Sequence, residues 1–310
     1  MISLRAALRL RRGFRRVFAL LAIGMLGALA VQGQTPATQL KVAAVQFRSS
    51  FDVKDNSRRM SEFLSWLASE GVQVAVFPEC ALTGYYKTPT MPTPEKEIAA
   101  AEEKIRQTCR AKKIAAVFGS AYKINGHTYD TAVVLNAAGK PVERYGKIYL
   151  AEKWDVPGNH IAYFNLAGIP STVIVCHDER YPELVRLPAL EGARIVYYIS
   201  SESSLKSPSK LIPYRAQMMA RAVENGVFVV AANAPANRDL SGSHGQSRII
   251  ASDGNIIKEA SIFGEDVLIS TLTIKPRKPT WPQTSLQGPL ANWWRSGLEW
   301  MMKNRHRQLK

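Results

Sequence analysis

Three apolar segments, far apart in the chain, each end in one chemically reactive side chain. These side chains are the carboxyl of Glu79, the ammonium of Lys147 and the thiol of Cys176. Each follows a hydrophobic run of the kind that forms a buried strand. Because strand ends can converge at one edge of a sheet, the three groups are placed to act together as a base, an oxyanion stabiliser and a nucleophile.

The rest of the chain alternates short β-rich runs with amphipathic helical stretches. Met60, Phe63, Leu64 and Leu67, for example, recur at helical spacing before Gly71 stops the helix. This alternation predicts a layered α/β domain. Strands are predicted at 40–47, 72–77, 114–120, 129–135, 141–147, 172–176, 195–199, 227–233, 247–251, 255–260 and 266–272, and helices at 56–70, 94–113, 183–191 and 211–225.

The first thirty residues have the composition of a secretory signal peptide. Six arginines precede an uncharged run, 17–31, and Ala28-Leu29-Ala30 is a small-x-small cleavage site. The uncharged run is shorter than the roughly 20 residues that span a bilayer. We therefore expect residues 1–30 to be removed and the mature protein to be periplasmic or secreted, with an uncleaved anchor at 17–31 as the alternative. Arg11-Arg12 fits twin-arginine export, and the general secretory route stays open.

Length and charge limit the partners of the mature chain. Removing the signal leaves 280 of the 310 residues and lowers the formal net charge from +16 to +10. That length suits one domain, placed at residues 40–275 between a linker at 31–39 and an extension at 276–310. The sequence has no basic run interleaved with aromatic residues of the kind that forms a nucleic-acid groove. We expect no nucleic-acid partner, and membrane contact only during export.

Three cysteines exclude a disulfide-rich scaffold. Cys80 and Cys109 are compatible with one disulfide in an oxidising compartment, and equally with two buried thiols. The cysteine spacing matches no zinc pattern, so no metal site is expected.

Several motifs follow one another in a set order along the chain. They are Phe77-Pro78-Glu79-x-x-x-Thr83-Gly84-Tyr85, Phe118-Gly119-Ser120, Lys147 at its strand end, Cys176-His177-Asp178-Glu179-Arg180-Tyr181-Pro182-Glu183, Arg221-Ala222-Val223-Glu224-Asn225-Gly226 and Gly245-Gln246-Ser247-Arg248. Each is weak alone. Together, from about Leu40 to Thr273, they resemble the carbon-nitrogen hydrolase (nitrilase) superfamily.

The resemblance implies a four-layer α-β-β-α sandwich of the nitrilase type and assembly into homodimers or higher homo-oligomers. It implies no metal or organic cofactor. Cys176 would be the nucleophile, Glu79 the base, and Lys147, with the N–H of His177, the oxyanion stabiliser. We expect backbone N–H groups to favour the thiolate of Cys176, and desolvation to raise the pKa of Glu79.

The remaining candidate residues lie around the three reactive groups. The family's second glutamate is assigned to Glu152, with Asp155 as the alternative because the loop is shortened. The candidate substrate-binding residues are Tyr85, Trp154, His177 and Tyr181. The aromatic ones could equally be core residues, and the side chain of His177 is expected to point away from the thiol.

The predicted function is a cysteine-dependent hydrolase that cleaves an amide or N-carbamoyl C–N bond and releases ammonia through a thioester. Its partner would be a small-molecule amide, carbamoyl or ureido compound. Nitrile hydrolysis is an alternative, disfavoured because nitrile-cleaving relatives usually have Cys-Trp-Glu where this chain has Cys176-His177-Asp178. N-acyl transfer, and a non-catalytic binding role on the same fold, also stay open.

Overall fold

The computed structural model describes residues 37–85, 93–151, 156–277 and 291–304, and the strands in these ranges form two six-stranded sheets. The strands are β1 (Thr38–Gln46), β2 (Val74–Val76), β3 (Ala115–Ile124), β4 (His127–Leu135), β5 (Pro141–Gly146), β6 (Phe164–Leu166), β7 (Ile169–Val175), β8 (Ile195–Ser200), β9 (Phe228–Asn233), β10 (Arg248–Ile250), β11 (Ile256–Glu259) and β12 (Asp266–Ile274). The first sheet has the order β12-β1-β2-β3-β4-β5 and the second β11-β10-β9-β8-β7-β6.

Helices cover the outer faces of both sheets. They are α1 (Val53–Ser69), α2 (Glu95–Lys112), α3 (Glu183–Glu191), α4 (Leu211–Asn225) and α5 (Ala291–Asn304). α1 begins at the N-cap Asp52, whose carboxylate accepts the backbone N–H groups of Lys54 and Asp55 at 2.9 and 3.0 Å. None of the helices in the described ranges is long and apolar enough to cross a membrane.

The strand residues alternate between two buried layers. In β1, Val42 and Ala44 belong to a core shared by both sheets, whereas Ala43 and Val45 pack with residues of α1 and α2. A third cluster joins the outer face of the second sheet to α3 and α4. The resulting α-β-β-α order confirms the predicted four-layer sandwich.

Several predicted boundaries are corrected by the pairing of the strands. β1 begins at Thr38, inside the predicted linker, because Thr38 and Gln39 pair with Ile274 and Thr273 of β12. β6 was not predicted; its three residues pair antiparallel with β7. Part of the predicted C-terminal extension also packs on the domain, since Met301 of α5 is fully buried with α3 and α4. The predicted signal peptide lies outside the described residues.

Parallel strands bring several chain segments to one edge. β1, β2 and β3 run parallel in the first sheet, as do β7, β8 and β9 in the second. Their carboxyl ends therefore point the same way within each sheet, the usual place for functional groups in α/β proteins. Glu79 follows β2, Cys176 follows β7 and Ser201 follows β8.

Candidate active site

Cys176 occupies a sharp turn at the carboxyl end of β7. It opens a five-residue 3-10 turn, Cys176–Arg180, and its φ of +45° lies in the left-handed region that non-glycine residues rarely adopt. Such strain is held only where the surrounding structure enforces it, and it concentrates at functional sites. The strand predicted at 172–176 therefore ends one residue earlier, and the half-buried thiol projects beyond the sheet.

Glu79 and Lys147 form a buried ion pair beside this turn. The Nζ atom of Lys147 lies 2.7 Å from Oε1 of Glu79 and 3.4 Å from Oδ2 of Asp130. The backbone N–H of Ser201 donates to Oε2 of Glu79 at 2.7 Å. Lys147 is 0 % and Glu79 1 % exposed, so the pair is held away from bulk water. Both carboxylate oxygens of Glu79 are thus fixed by partners from opposite sheets.

Glycines let the backbone pack closely where these two side chains emerge. A Cβ at Gly119 would overlap the backbone of Glu79 and Cys80, and the N–H of Gly119 donates to the carbonyl of Pro78 at 3.0 Å. A Cβ at Gly158 would likewise overlap the carbonyl of Gly146, one residue before Lys147. The glycine of the Phe118-Gly119-Ser120 motif therefore positions the loop that carries Glu79.

Asp178 ties the end of β7 to the loop after β5. Its carboxylate accepts the hydroxyl of Tyr145 at 2.7 Å and the backbone N–H groups of Ile148, Tyr149 and Val175 at 3.2, 2.9 and 3.2 Å. Burial raises the pKa of Asp178 to about 6, although these hydrogen bonds oppose the rise. The residue stabilises the position of the turn.

The charges in the site differ from the sequence-based expectation. Burial raises the pKa of Cys176 well above its usual value, and the carboxylate of Glu79 adds to the rise, so the thiol rather than the thiolate is the resting form. Burial acts to raise the pKa of Glu79, but the adjacent ammonium of Lys147 and the hydrogen bonds with Asp130, Lys147 and Ser201 together lower it. Burial also opposes the charge of Lys147, yet Glu79, Cys176 and Asp130 together raise its pKa well above its usual value. The predicted thiolate and the predicted raised pKa of Glu79 were wrong, because the sequence revealed neither the burial of the thiol beside Glu79 nor the contact of Lys147 with Glu79.

A cavity of about 640 Å³ opens over Cys176. Of the predicted substrate-binding residues, Tyr85 and His177 line it. Tyr181 instead stacks on Tyr149 at an interplanar angle of 6°. Glu152, Asp155 and Trp154 lie outside the described residues.

The structure brings residues to this cavity that the sequence analysis did not select. Glu179, Ser201 and Glu202 line it, and Tyr198 lies behind them with its hydroxyl 3.3 Å from the carbonyl of Cys176. Ser201 and Glu202 directly follow β8, so strand-end placement could have found them. Glu179 could not be found this way, because it lies within the Cys176–Arg180 turn and does not directly follow a strand. In the described ranges, no group of three His, Cys, Asp or Glu side chains is arranged to hold a metal ion.

Comparison with known proteins settles the family. The model of the family described as carbon-nitrogen hydrolase matches residues 41–279. The chain belongs to the carbon-nitrogen hydrolase family. It is therefore an enzyme that acts on carbon–nitrogen bonds other than peptide bonds, as the motif order predicted.

Curated relatives of this hydrolase include amidases. The 2-oxoglutaramate amidase of Bacillus subtilis is 27 % identical over 224 residues, which cover 70 % of this chain and 85 % of the relative. An omega-amidase of Saccharomyces cerevisiae is 26 % identical over 258 residues, covering 76 % and 87 %.

Solved structures support the fold of the hydrolase. An amidase from Nesterenkonia sp. AN1 in complex with acrylamide has a TM-score of 0.71 at 21 % identity, covering 87 % of this chain and 99 % of that one. Another form of that enzyme has the acetamide moiety of fluoroacetamide added covalently at its active-site cysteine. It aligns with a TM-score of 0.68 at 22 % identity, over 76 % of this chain and 90 % of that one.

Proposed function

We propose that this hydrolase cleaves the C–N bond of a small-molecule carboxamide or N-carbamoyl compound, with Cys176 as the nucleophile. The observation that carries the proposal is the buried Glu79–Lys147 pair, which acts electrostatically on a strained cysteine that lines a cavity. The amidase names of the relatives agree with it.

The proposed reaction begins with a neutral thiol. Glu79 takes the proton of Cys176 as the sulfur attacks the carbonyl carbon, because a thiol with a raised pKa needs a base at that moment. Lys147 stabilises the oxyanion that forms, together with the N–H of His177. Glu79 then gives the proton to the leaving nitrogen, the C–N bond breaks, and ammonia departs from a thioester on Cys176.

The second half returns the enzyme to its starting state. Glu79 takes a proton from water as the water oxygen attacks the thioester, and the C–S bond breaks. Glu79 gives this proton to the sulfur, and the acid is released. Glu152, with Asp155 as the alternative, is proposed to orient Lys147 or the substrate. Asp130 also contacts the ammonium of Lys147, at 3.4 Å.

We also propose that the mature enzyme acts outside the cytoplasm as a homodimer or higher homo-oligomer. The arginine-rich start and the cleavage site at Ala28-Leu29-Ala30 support export, and the family resemblance supports oligomers. N-terminal sequencing of the native protein from fractionated cells tests export. An N-terminus near Val31 is expected, whereas an intact Met1 in the membrane fraction would indicate an anchor at 17–31.

An ammonia-release screen of the purified mature protein tests the chemistry. The panel contains aliphatic amides, N-carbamoyl amino acids, ureido compounds and the nitriles that match the amides, with Cys176→Ala as the blank. Turnover of amide or carbamoyl compounds, with a thioester seen by mass spectrometry, is expected. Turnover of the nitriles alone would change the substrate class. Equal activity of Cys176→Ala would remove this residue from the mechanism.

A further inference from the structure

A buried tyrosine bridges two glutamates beside the proposed nucleophile. The hydroxyl of Tyr198 lies 2.5 Å from Oε2 of Glu179 and 2.5 Å from Oε1 of Glu202. A tyrosine hydroxyl has one proton and can donate to only one of these oxygens. The second short contact therefore needs a proton on a carboxyl group. Glu179 is 1 % and Glu202 6 % exposed, so bulk water does not solvate a charge on either carboxyl group.

One of the two carboxyl groups is therefore neutral in the free enzyme. Like charges at this separation in a buried site disfavour double ionisation. Burial and the charge of Glu202 raise the pKa of Glu179 to about 9. The other groups that face the pair are Arg180, whose charge opposes this rise, and His244, whose Nε2 lies 3.0 Å from Oε2 of Glu202.

Glu179 has a buried acceptor oxygen, in the wall of the cavity, that no described group uses. Both glutamates line the cavity together with Cys176, and Oε1 of Glu179 is buried without a hydrogen-bond partner in the described part of the chain. A buried oxygen without a partner is costly and is usually satisfied by a ligand or water. None of the other functions assigned above uses this oxygen.

The charge of the pair selects the ligand. A substrate carboxylate placed here would meet a pair that already carries one negative charge, and it has no proton to donate to Oε1 of Glu179, whereas an ammonium would donate to that oxygen. Lys206 and Lys210 also line the cavity, but they are exposed and their charges are screened by water. The buried carboxyls act in a lower dielectric and therefore have the stronger effect on a bound charge.

We infer that Glu179 and Glu202 form a specificity subsite for a protonated amine on the acyl part of the amide substrate. This inference rests on the proposed amidase function and names its substrate class. On binding, the ammonium donates to Oε1 of Glu179, and the proton that Glu179 held leaves to solvent. Loss of this proton adds one negative charge to the pair, and the added charge balances the ammonium.

A matched set of three amides tests the subsite. 4-Aminobutanamide carries an ammonium where pentanamide carries a methyl group, and glutaramate carries a carboxylate at the same end. The wild-type enzyme is expected to show kcat/KM for 4-aminobutanamide at least about tenfold above that for pentanamide, as a charge-assisted hydrogen bond provides. Glutaramate should be the poorest of the three.

Variants assign the preference to the glutamates. Glu179→Gln should lower the ratio of kcat/KM for 4-aminobutanamide over pentanamide by about tenfold, and Glu202→Gln should lower it in the same direction. Glu62→Gln, the same change on the exposed face of α1, is the matched control and should keep the wild-type ratio. If Glu179→Gln does not fold, Glu202→Gln and the wild-type substrate order still decide.

Calorimetry gives a reading that does not depend on turnover. Cys176→Ala protein is titrated with 4-aminobutanamide at pH 8 in two buffers of different ionisation enthalpy. Release of close to one proton per bound amine is expected. No proton release, or equal release when Glu179→Gln is combined with Cys176→Ala, would overturn the assignment.

The outcomes separate the inference from the function on which it rests. If kcat/KM for pentanamide or glutaramate equals that for 4-aminobutanamide, or if the amine preference survives Glu179→Gln, the proposed subsite is refuted. The proposed amidase function is kept in that case. The same holds if other amides are hydrolysed and 4-aminobutanamide is not. If no amide or carbamoyl compound is hydrolysed and none acylates Cys176, the proposed function itself fails.

Discussion

Replacing Lys147 with methionine tests whether the buried ion pair supports the fold as well as the chemistry. The substitution keeps an apolar stem and removes the charge that faces Glu79 at 2.7 Å and Asp130 at 3.4 Å. At an effective dielectric of about 20, these separations correspond to gross attractions of about 6 and about 5 kcal/mol. Desolvation offsets much of this, so removing one partner of a buried pair typically costs about 3–5 kcal/mol. We expect Lys147→Met to lower the free energy of unfolding by that amount at pH 8.

The loss should depend on pH in a direction that the pKa shifts determine. In the wild type, the pKa of Glu79 is lowered from its ordinary 4.5. The ionised carboxylate therefore stabilises the fold above pH 4.5, and this stabilisation is lost as the pH falls through the lowered pKa. Without the charge of Lys147, burial is opposed only by hydrogen bonds such as the one from the N–H of Ser201, and we expect it to raise the folded pKa of Glu79 above the unfolded value. The variant should then lose stability as the pH rises through that raised value. The deficit against wild type should therefore be larger at pH 8 than at pH 5.

Urea unfolding followed by circular dichroism at both pH values measures these differences. Lys54→Met is the matched control, because the Lys54 side chain is 80 % exposed and its ion pair with Glu97 is 3.9 Å long. It should change the free energy of unfolding by less than about 0.5 kcal/mol. Combining Lys147→Met with Glu79→Gln should cost less than the sum of the two single changes. A loss below about 1 kcal/mol, an equal loss at both pH values, or strict additivity would refute the reasoning.

Three further predictions concern the proposed chemistry and the loop that carries it. Cys176→Ala should abolish ammonia release while the melting temperature stays near wild type; more than about a tenth of wild-type activity would contradict a nucleophilic role. Glu79→Gln should slow ammonia release strongly, and any thioester that does form on Cys176 should persist long enough for mass spectrometry to detect it, because deacylation also needs the base. Wild-type turnover by this variant would remove Glu79 as the base. Gly119→Ala should destabilise the fold by about 1–3 kcal/mol in urea unfolding, since its Cβ would overlap the backbone at Glu79 and Cys80; an unchanged midpoint would show that the loop adapts.

The fold could largely be predicted from local pattern. Apolar runs of strand length, separated by helical periodicity, predicted every strand of the two sheets except β6, because each run must bury its side chains on both sides of a sheet. β6 has only three residues and forms through its pairing with β7, a contact that no local pattern reveals. The hairpin strands predicted at 247–251 and 255–260 are shortened to β10 and β11, where the register shifts between Ile249 and Ile250.

Strand-end position and motif order selected Glu79, Lys147 and Cys176 as candidate reactive groups, and the structure places Lys147 against Glu79. Their protonation states, in contrast, required the assembled fold. The pKa of a buried group depends on burial and on the charges that face it, and these come from residues distant in the chain, such as Lys147 beside Glu79. The meeting of Glu179 with Glu202 across Tyr198 has the same origin, because the two glutamates follow different strands that only the assembled sheet brings together.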